Sequence, residues 1–316
     1  MLTVYRWIPG TGLVESGSEL LPGTWINLAA PTGGEFDKLM REFSLPQEFL
    51  SDPLDKDERA RVEIDEDSSS SLIVVRVPCK ESENTDGVPY STVPFGIIIT
   101  PNVIVTVCSK RTVLIDEFKQ IRRAIPPYDR HRFVFSILLR VATLYLRYLR
   151  EIREEAEAIE RKLHLHQTLK NDSLIEIRDL QKALVYFTTS LSANEIMVSR
   201  LGHMRQLGIK DDDLDILDDV AVEYRQALEM ATIHSNILTG TMESFASVIS
   251  NNLNRVMKSL TAVTIVFMLP TLVSSIYGMN VDLPLKENPH AFAIVIGIAL
   301  ALSMLTVFIF YRRKLF

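Results

Sequence analysis

The sequence predicts an α/β domain, then a stalk of long helices and, at the C-terminal end, two membrane-spanning helices. Three observations support this fold class. Short β-branched runs and a helical pattern occur in residues 1–130, long helical patterns with few Gly or Pro residues occupy residues 131–254, and two uncharged runs lie within residues 255–316. With 47% hydrophobic and 23% charged residues, the chain is unusually apolar for a soluble protein.

The α/β domain is predicted from strand and turn signals. Residues 71–78 (SLIVVRVP) predict a strand, and residues 95–108 (FGIIITPNVIVTVC) predict a hairpin that turns at residues 100–102. Residues 35–43 (EFDKLMREF) have helical spacing. The apolar run of the hairpin is too short to cross a bilayer and contains its own turn, so we assign it to this domain.

The same region gives no sign of export or of catalysis. The opening MLTVYRWIPG lacks the apolar core of a signal peptide, and Cys79 and Cys108 alone do not indicate a disulfide framework. The GTG at residues 10–12 lacks the rest of a nucleotide-binding loop, and no nucleophile motif is present. We therefore expect a cytoplasmic domain that is not an enzyme and uses no organic cofactor.

The stalk is predicted from three helical patterns. Two of them cover residues 135–163 and 173–201. The third begins near Asp211 and continues to Tyr277, with Gly240 and Pro270 as the residues that could interrupt it. A helix of that length would reach about 100 Å and needs neighbours along its whole length, which suggests a stalk in an oligomer.

The membrane hairpin is predicted from length and charge. A first helix at about 258–279 and a second at about 291–311 are each long enough to span roughly 30 Å of hydrocarbon, and an outer loop at 280–290 joins them. The alternative is a pair of buried core helices. Both runs lack the polar face that a soluble helix keeps, which favours the membrane.

Flanking charges predict the orientation of the hairpin. Basic residues near membrane ends stay on the cytoplasmic side. Arg255 and Lys258 precede the first helix, Arg312, Arg313 and Lys314 follow the second, and the loop has Asp282 and Glu287 against Lys286. We therefore expect both termini to be cytoplasmic, in an inner or plasma membrane that supplies the lipid partner.

One face of the first spanning helix is polar, small or soft. Steps of three and four residues from Asn254 give the polar stripe: Asn254, Met257, Thr261, Thr264, Met268, Thr271, Ser275 and Gly278. Such a face is typical of simple helix packing, with Thr hydroxyls bonded to their own helix. The alternative is a pore that several copies close around an axis, because one chain with two spans cannot enclose a channel.

An acidic run, DDDLDILDD at residues 211–219, begins the long helix. Such a run is usually a solvated face, and Asp residues at a helix N-terminus suit the helix dipole. A metal role is the alternative, since carboxylate oxygens are the ligands that hard cations choose.

The membrane segment resembles the CorA family of magnesium transport proteins. The motif YGMN at residues 277–280 follows a spanning helix, and a second span with a basic end comes after it. The upstream segments NRVMKSLT (254–261) and FMLPT (267–271) extend the resemblance, as does the α/β domain followed by long helices.

The resemblance implies a homopentameric funnel whose first spanning helices line the pore. In this family picture Gly278, Met279 and Asn280 form the outer selectivity filter. Matching pore positions are Asn254, Met257, Leu260, Met268 and Thr271, of which Leu260 is one residue off the stripe; Thr261, Thr264 and Ser275 join them from the stripe itself. The family also has a regulatory divalent site between subunits, which implies Asp219 and, by a looser match, Asp52, with Asp55 and Asp57 nearby as alternatives.

The expected function is therefore potential-driven Mg²⁺ uptake, with Mg²⁺ as substrate and regulator. The expected partners are membrane lipid, further copies of the chain and divalent cations, with no nucleic acid. Two alternatives remain open. The same fold could move cobalt, nickel or zinc, or the hairpin could only anchor a sensor or scaffold that transports nothing.

Overall fold

The computed structural model describes residues 1–316 except 18, 82–86, 122–124, 167–170, 282, 285–288 and 314–316, and it does not describe the side chains of residues 163–166, 171 and 205. Of the predicted outer loop and basic tail, Asp282, Lys286, Glu287 and Lys314 lie outside the described residues. The chain divides into two compact units, Met1–Gly240 and Thr241–Phe316. The predicted domain boundaries at 130 and 254 stay predictions.

The first unit is built on a seven-stranded sheet, counted over the described residues. Its strands are β1 (Leu2–Ile8), β2 (Gly12–Glu15), β3 (Trp25–Ala29), β4 (Arg61–Asp65), β5 (Ser70–Lys80), β6 (Tyr90–Ile99) and β7 (Ile104–Cys108). They lie in the order β2-β1-β3-β7-β6-β5-β4. The pair β3 and β7 is parallel, and all other neighbours are antiparallel.

The predicted strand and hairpin are confirmed. β5 covers residues 71–78, and β6 pairs with β7 from Phe95 opposite Cys108 to Ile99 opposite Ile104. The hydroxyl of Thr100 donates to the Val103 carbonyl at 2.8 Å and accepts the Val103 N–H at 2.9 Å, which closes the turn. Cys79 and Cys108 are both buried and free.

Two short helices and a 3₁₀ turn cover one face of the sheet. These are α1 (Gly33–Phe43), α2 (Gln47–Ser51) and the turn Asp52–Leu54, and they confirm the predicted helix at 35–43. Leu39, Phe49 and Leu50 from the helices pack into the apolar cluster of β3, β5, β6 and β7. A Cβ added to Gly96 of β6 would lie 2.4 Å from Pro53 Cγ, so the strand needs glycine there to let the turn rest on it.

Three helices cover the opposite face. They are α3 (Val113–Lys119), α4 (Arg130–His166) and α5 (Asn171–His203). The ring of Trp25 packs edge-on against Phe118 of α3 and Phe133 of α4, each at 5.6 Å between centroids. Asn194 of α5 accepts the Arg76 N–H at 2.9 Å and donates to the Arg76 carbonyl at 2.8 Å, which ties this helix to β5.

The long helices are confirmed. α4 and α5 include the predicted segments 135–163 and 173–201, and a 3₁₀ turn, Arg205–Leu207, leads to α6 (Asp211–Tyr277). α6 is 67 residues long and is interrupted at neither Gly240 nor Pro270. Its residues up to Gly240 belong to the first unit.

The second unit contains the rest of α6 and α7 (Ala291–Arg312). Within the described residues, α6 and α7 are the two helices that are long and apolar enough to cross a membrane. α6 ends two residues before the predicted position 279, because Gly278 and Met279 already lie in the turn that follows.

Candidate ion pathway and metal sites

One side of α6 is shielded by α7. Less exposed residues recur every three or four positions along its membrane part, and we call this set the α7-facing row: Ser259, Ala262, Val266, Leu269, Val273 and Tyr277. Pro270, next to Leu269, is half-buried as well. Ala262 is buried, as is Ala299 on α7. The Ser303 hydroxyl of α7 lies 3.3 Å from the Val266 carbonyl, so the second helix contacts α6 on this row.

The polar stripe lies on the opposite side of α6. One residue turns an α-helix by about 100°, so a step of two residues turns it by about 200°. Thr261, Thr264, Met268, Thr271 and Ser275 each stand two residues after a member of the α7-facing row. All five are exposed, and so are Asn254, Met257 and Leu260. Among the described residues of the second unit in one chain, these stripe residues of α6, with their neutral oxygen and sulfur atoms, stay exposed.

The Thr hydroxyls of the stripe bond to their own helix. Thr261, Thr264 and Thr271 donate to the carbonyls of Met257, Leu260 and Phe267 at 2.8, 2.9 and 2.9 Å. This is the bonding expected of Thr in a packed membrane helix. It also fixes the orientation of each hydroxyl: the proton points to the helix, and the oxygen keeps a lone pair for a donor such as a cation-bound water.

The end of α6 presents the GMN tripeptide in a tight turn. The Gly278 N–H donates to the Ser274 carbonyl at 3.0 Å, and the Met279 N–H donates to the Ile276 carbonyl at 3.2 Å. A Cβ on Gly278 would lie 3.3 Å from the Ser274 oxygen. Residues 278–280 are all exposed, so the Asn280 amide is accessible to a ligand.

Asp52 is held by a cation rather than free. Its carboxylate lies 2.7 Å from Arg61 Nη2, and Arg61 also contacts Glu58 and Glu63. Burial opposes the charge of Arg61, but the bonds from these carboxylates outweigh it and raise the pKa of the guanidinium. A metal at Asp52 would have to share or displace Arg61.

Asp219 lies exposed on the first part of α6. In the same acidic run Asp213 is buried, and its carboxylate lies 2.5 Å from Arg132 Nε of α4, which raises the pKa of Arg132. Of the described residues, no three His, Cys, Asp or Glu side chains come together as a metal site in one chain. The structure therefore places the GMN turn at the end of the helix that carries the stripe, but among the described residues it does not bring Asp52 and Asp219 into a common cluster.

Sequence reasoning missed the partners of these groups. Arg61 and Arg132 were not singled out. Arg61 follows Asp52 by nine residues and Arg132 precedes Asp213 by 81, and neither spacing is a local signal of an ion pair. Ser303 was also missed. The signal was Pro270, because a proline inside a membrane helix leaves a carbonyl that some neighbour must satisfy.

The family described as CorA-like Mg²⁺ transporter protein matches residues 23–312, nearly the whole chain. The chain belongs to the CorA family. The predicted resemblance is thereby confirmed, and with the two apolar helices it identifies a membrane protein of a transporter family.

Two curated CorA proteins and one solved CorA structure are similar over most of the chain. A cobalt/magnesium transport protein CorA of Methanocaldococcus jannaschii is 30% identical and covers 91% of this chain and 90% of its own. A magnesium transport protein CorA of Helicobacter pylori is 23% identical, with 92% and 89% covered. The complete structure of the CorA magnesium transporter from Methanocaldococcus jannaschii matches with a TM-score of 0.85 at 26% identity, over 99% of this chain and 98% of that one. This likeness confirms the predicted CorA fold class: an α/β domain, a long helix and two C-terminal apolar helices.

Proposed function

We propose that this CorA protein is a passive, potential-driven channel that takes up hydrated Mg²⁺. The observation that carries the proposal is the polar stripe on α6. It is neutral, it faces away from α7, and it leads to the GMN turn at the end of the apolar helix. A helix that served only as an anchor would not need a polar face for contact with a helix other than α7.

We propose that the partner of the stripe is another copy of α6, in a homopentamer. Two spanning helices cannot enclose a pore, so several copies must supply its wall. The resemblance of the membrane segment to the CorA family supports five copies around one axis, with membrane lipid on the remaining surfaces of the hairpin.

The chemistry of the stripe suits an ion that keeps its water. Mg²⁺ dehydrates reluctantly and is usually bound with several waters retained. Amide, hydroxyl and carbonyl oxygens can accept hydrogen bonds from these waters, whereas a carboxylate in the membrane would be costly and would bind too tightly to release the ion. Asn280 would receive the ion at the outer end.

The membrane potential supplies the driving force in this proposal. A potential of 100 mV is worth about 2.3 kcal/mol per elementary charge, hence roughly 4.6 kcal/mol for a divalent cation. Both termini then lie in the cytoplasm, and the outer turn at residues 278–280 faces the side from which the cation enters.

Cobalt is a second cargo that we propose. The Methanocaldococcus jannaschii relative is named for both cobalt and magnesium. Met257 and Met268 are the softer ligands of the stripe, but it contains no His, Cys or carboxylate of the kind that selects zinc. We therefore expect Mg²⁺ first, Co²⁺ as a weaker cargo, and little Zn²⁺.

We also propose that intracellular Mg²⁺ closes the channel through Asp219 and Asp52. Acidic helix starts from neighbouring subunits would repel one another unless a divalent cation bridged them. Bound Mg²⁺ would favour one symmetric arrangement with a narrow constriction at Met257 and Leu260, and its loss would release that arrangement.

The deciding experiment measures cation entry into liposomes that contain the pure full-length chain. We expect Mg²⁺ entry that rises when a potential, negative inside, is imposed, with slower Co²⁺ entry and little Zn²⁺ entry. Empty liposomes and liposomes with the Asn280→Ala variant are the controls. Wild-type protein that admits no more Mg²⁺ than empty liposomes would leave the anchored sensor or scaffold as the better interpretation.

A further inference from the structure

We propose that Ser303 of α7 is a positioning residue of the ion pathway. It holds the Val266 carbonyl that Pro270 leaves without a helix donor, and it thereby fixes the direction of the outer part of the polar stripe. The proposal deepens the function proposed above, because it concerns the geometry of the same pathway.

Pro270 creates the need for an outside donor. It lies inside α6, and proline has no N–H to offer to the carbonyl four residues earlier, which is that of Val266. Val266 is within the apolar stretch of the helix and belongs to the α7-facing row. A carbonyl without a donor in lipid costs several kcal/mol, so a neighbouring helix usually supplies one.

Ser303 meets that need. Its Oγ lies 3.3 Å from the Val266 carbonyl of α6 and 3.1 Å from the Ala299 carbonyl of its own helix, so one proton is shared between the two acceptors. Thr306 of α7, by contrast, donates to Leu302 of its own helix at 2.9 Å. The bond from Ser303 therefore joins α7 to the one turn of α6 that proline has weakened.

Small residues make the approach close enough for this bond. Ala262 and Ala299 are buried between the helices, and Ala299 precedes Ser303 by one helical turn. Small residues at this spacing let two membrane helices come into backbone contact, which strengthens a hydrogen bond between them.

The position of the bond gives it a consequence for the pathway. Thr261, Thr264 and Met268 precede Pro270, whereas Thr271, Ser275 and the GMN turn follow it. A helix bends most easily at proline, and the part of α6 beyond it is about 10 Å long. A change in bend of about 10° would move the GMN turn by roughly 2 Å. That shift is comparable to the length of the hydrogen bonds that the water around an ion makes. Ser303 limits that change by holding the carbonyl at the bend.

The test compares two side chains of the same shape. In the full chain, Ser303→Thr keeps a hydroxyl and Ser303→Val replaces it with a methyl group. Single cysteines at Thr271, beyond the proline, and at Thr261, before it, report by their rates of reaction with a water-soluble maleimide in liposomes. The native Cys79 and Cys108 are buried and give little background.

We expect Ser303→Val to change the labelling rate at position 271 roughly threefold and to leave the rate at 261 unchanged. Threefold is the factor that corresponds to the free energy of an average hydrogen bond between membrane helices. With Ser303→Thr, the labelling rates at 271 and 261 should equal those of wild type. The same is expected with the control Thr306→Val.

A second background separates this role from simple packing. In Pro270→Ala, the new N–H can bond to the Val266 carbonyl, so the difference between the Val and Thr variants at 303 should disappear. Equal labelling of the two variants in the native background, or the same difference in both backgrounds, would overturn the proposal. If Pro270→Ala does not insert, the Val and Thr comparison decides alone. Labelling needs water at position 271 but no ion flux. If position 271 is labelled and Mg²⁺ does not enter, the proposed function is overturned while the comparison of the Val and Thr variants still decides the role of Ser303.

Discussion

At the scale of single residues, Gly278 and Asn280 have different requirements although they share one turn. At Gly278 a Cβ would lie 3.3 Å from the Ser274 carbonyl oxygen, so a side chain there requires the turn to shift by a few tenths of an ångström. Asn280 is exposed and has an amide that can accept a hydrogen bond from a hydrated cation. We therefore expect substitution of Gly278 to act through the backbone of the turn, and substitution of Asn280 to remove the proposed ligand while the turn stays in place.

Replacing Asn280 with Ala should stop Mg²⁺ entry without disturbing assembly. A hydrogen bond with a charged group is worth about 1.5–3 kcal/mol, which corresponds to roughly tenfold or more in binding, and an oligomer loses one such bond per subunit. Flux into liposomes and elution on size exclusion are the measurements. Asn252→Ala, an exposed Asn outside the stripe, is the matched control. Normal uptake by well-assembled Asn280→Ala would exclude Asn280 from the filter.

Glu35 should contribute stability that depends on pH. Its carboxylate accepts the Thr32 N–H at 2.8 Å and, with further bonds from the Leu2 N–H and the N-terminal amine, its pKa falls from 4.5 to about 2 despite the opposing effect of desolvation. Because the folded pKa is lowered, this stabilisation is complete above about pH 4.5 and is lost as the pH falls toward 2. We expect Glu35→Gln to lower the melting temperature by roughly 2–4 °C at pH 7 and hardly at all near pH 2. Glu48→Gln serves as the control, and an equal effect at both pH values would contradict the assignment.

At the scale of the helix, α6 combines two faces with different neighbours. The α7-facing row is made of small and apolar residues that allow close contact, and the polar stripe lies about 200° away from it. One face of the helix contacts α7. The other face is polar and exposed, and in an apolar surrounding it needs a second protein partner. This arrangement supports a further copy of α6 on the stripe.

Cysteine labelling should distinguish the two faces. We expect a cysteine at Thr271 to react with a water-soluble reagent through the pore, and a cysteine at Val273 to be inert, because Val273 lies half-buried on the α7-facing row. The expected difference in rate is on the order of tenfold or more, since one position faces water and the other faces protein and lipid. Mg²⁺ added in excess should slow the reaction at Thr271. Equal rates at the two positions would contradict the claim that the polar stripe faces water and the α7-facing row does not.

Sequence alone predicts these helices well because their signals are long and local. Few breakers occur between Asp211 and Tyr277, and helical periodicity places the stripe on one side without any knowledge of the fold. β1 to β4 were not predicted, since they are short and β2 and β4 lack the continuous apolar run of β5 to β7. Pro270 indicates that the Val266 carbonyl needs an outside donor, but the residues that partner Asp52 and Val266 could not be predicted. Arg61 reaches Asp52 only after the 3₁₀ turn settles on Gly96, and Ser303 reaches Val266 only after the hairpin closes.

At the scale of the whole molecule, a bound cation should protect the assembled protein from protease. If Mg²⁺ bridges the acidic helix starts of neighbouring subunits, added Mg²⁺ should slow cleavage of the full chain severalfold. The effect is limited because Mg²⁺ stabilises the closed state only by the difference between its affinities for the closed and open states. Asp219→Asn combined with Asp52→Asn should abolish that protection. We choose Asn at 52 because Lys would place a second cation beside Arg61.

The control for this experiment uses two carboxylates of the same regions. Asp55 and Asp215 are both exposed, and Asp55→Asn with Asp215→Asn removes as much charge. We expect this control to remain protected by Mg²⁺. Protection that persists in the Asp219 and Asp52 variant, or none in wild type, would show that the acidic run only caps and solubilises its helix; the pore proposal would be unaffected.

The parallel pairing of β3 with β7 also decides when the sheet can be completed during synthesis. Asn27 and Thr106, which are paired across these strands, are 79 residues apart in the chain. A ribosome adds roughly 5–20 residues per second, so β3 waits on the order of 4–16 s for its neighbour. During that interval the apolar strand WINLA has an open edge, which is the kind of surface that recruits other unfinished chains. We expect translation intermediates that end before Ile104 to require a chaperone, and those with β7 free of the ribosome to fold without one.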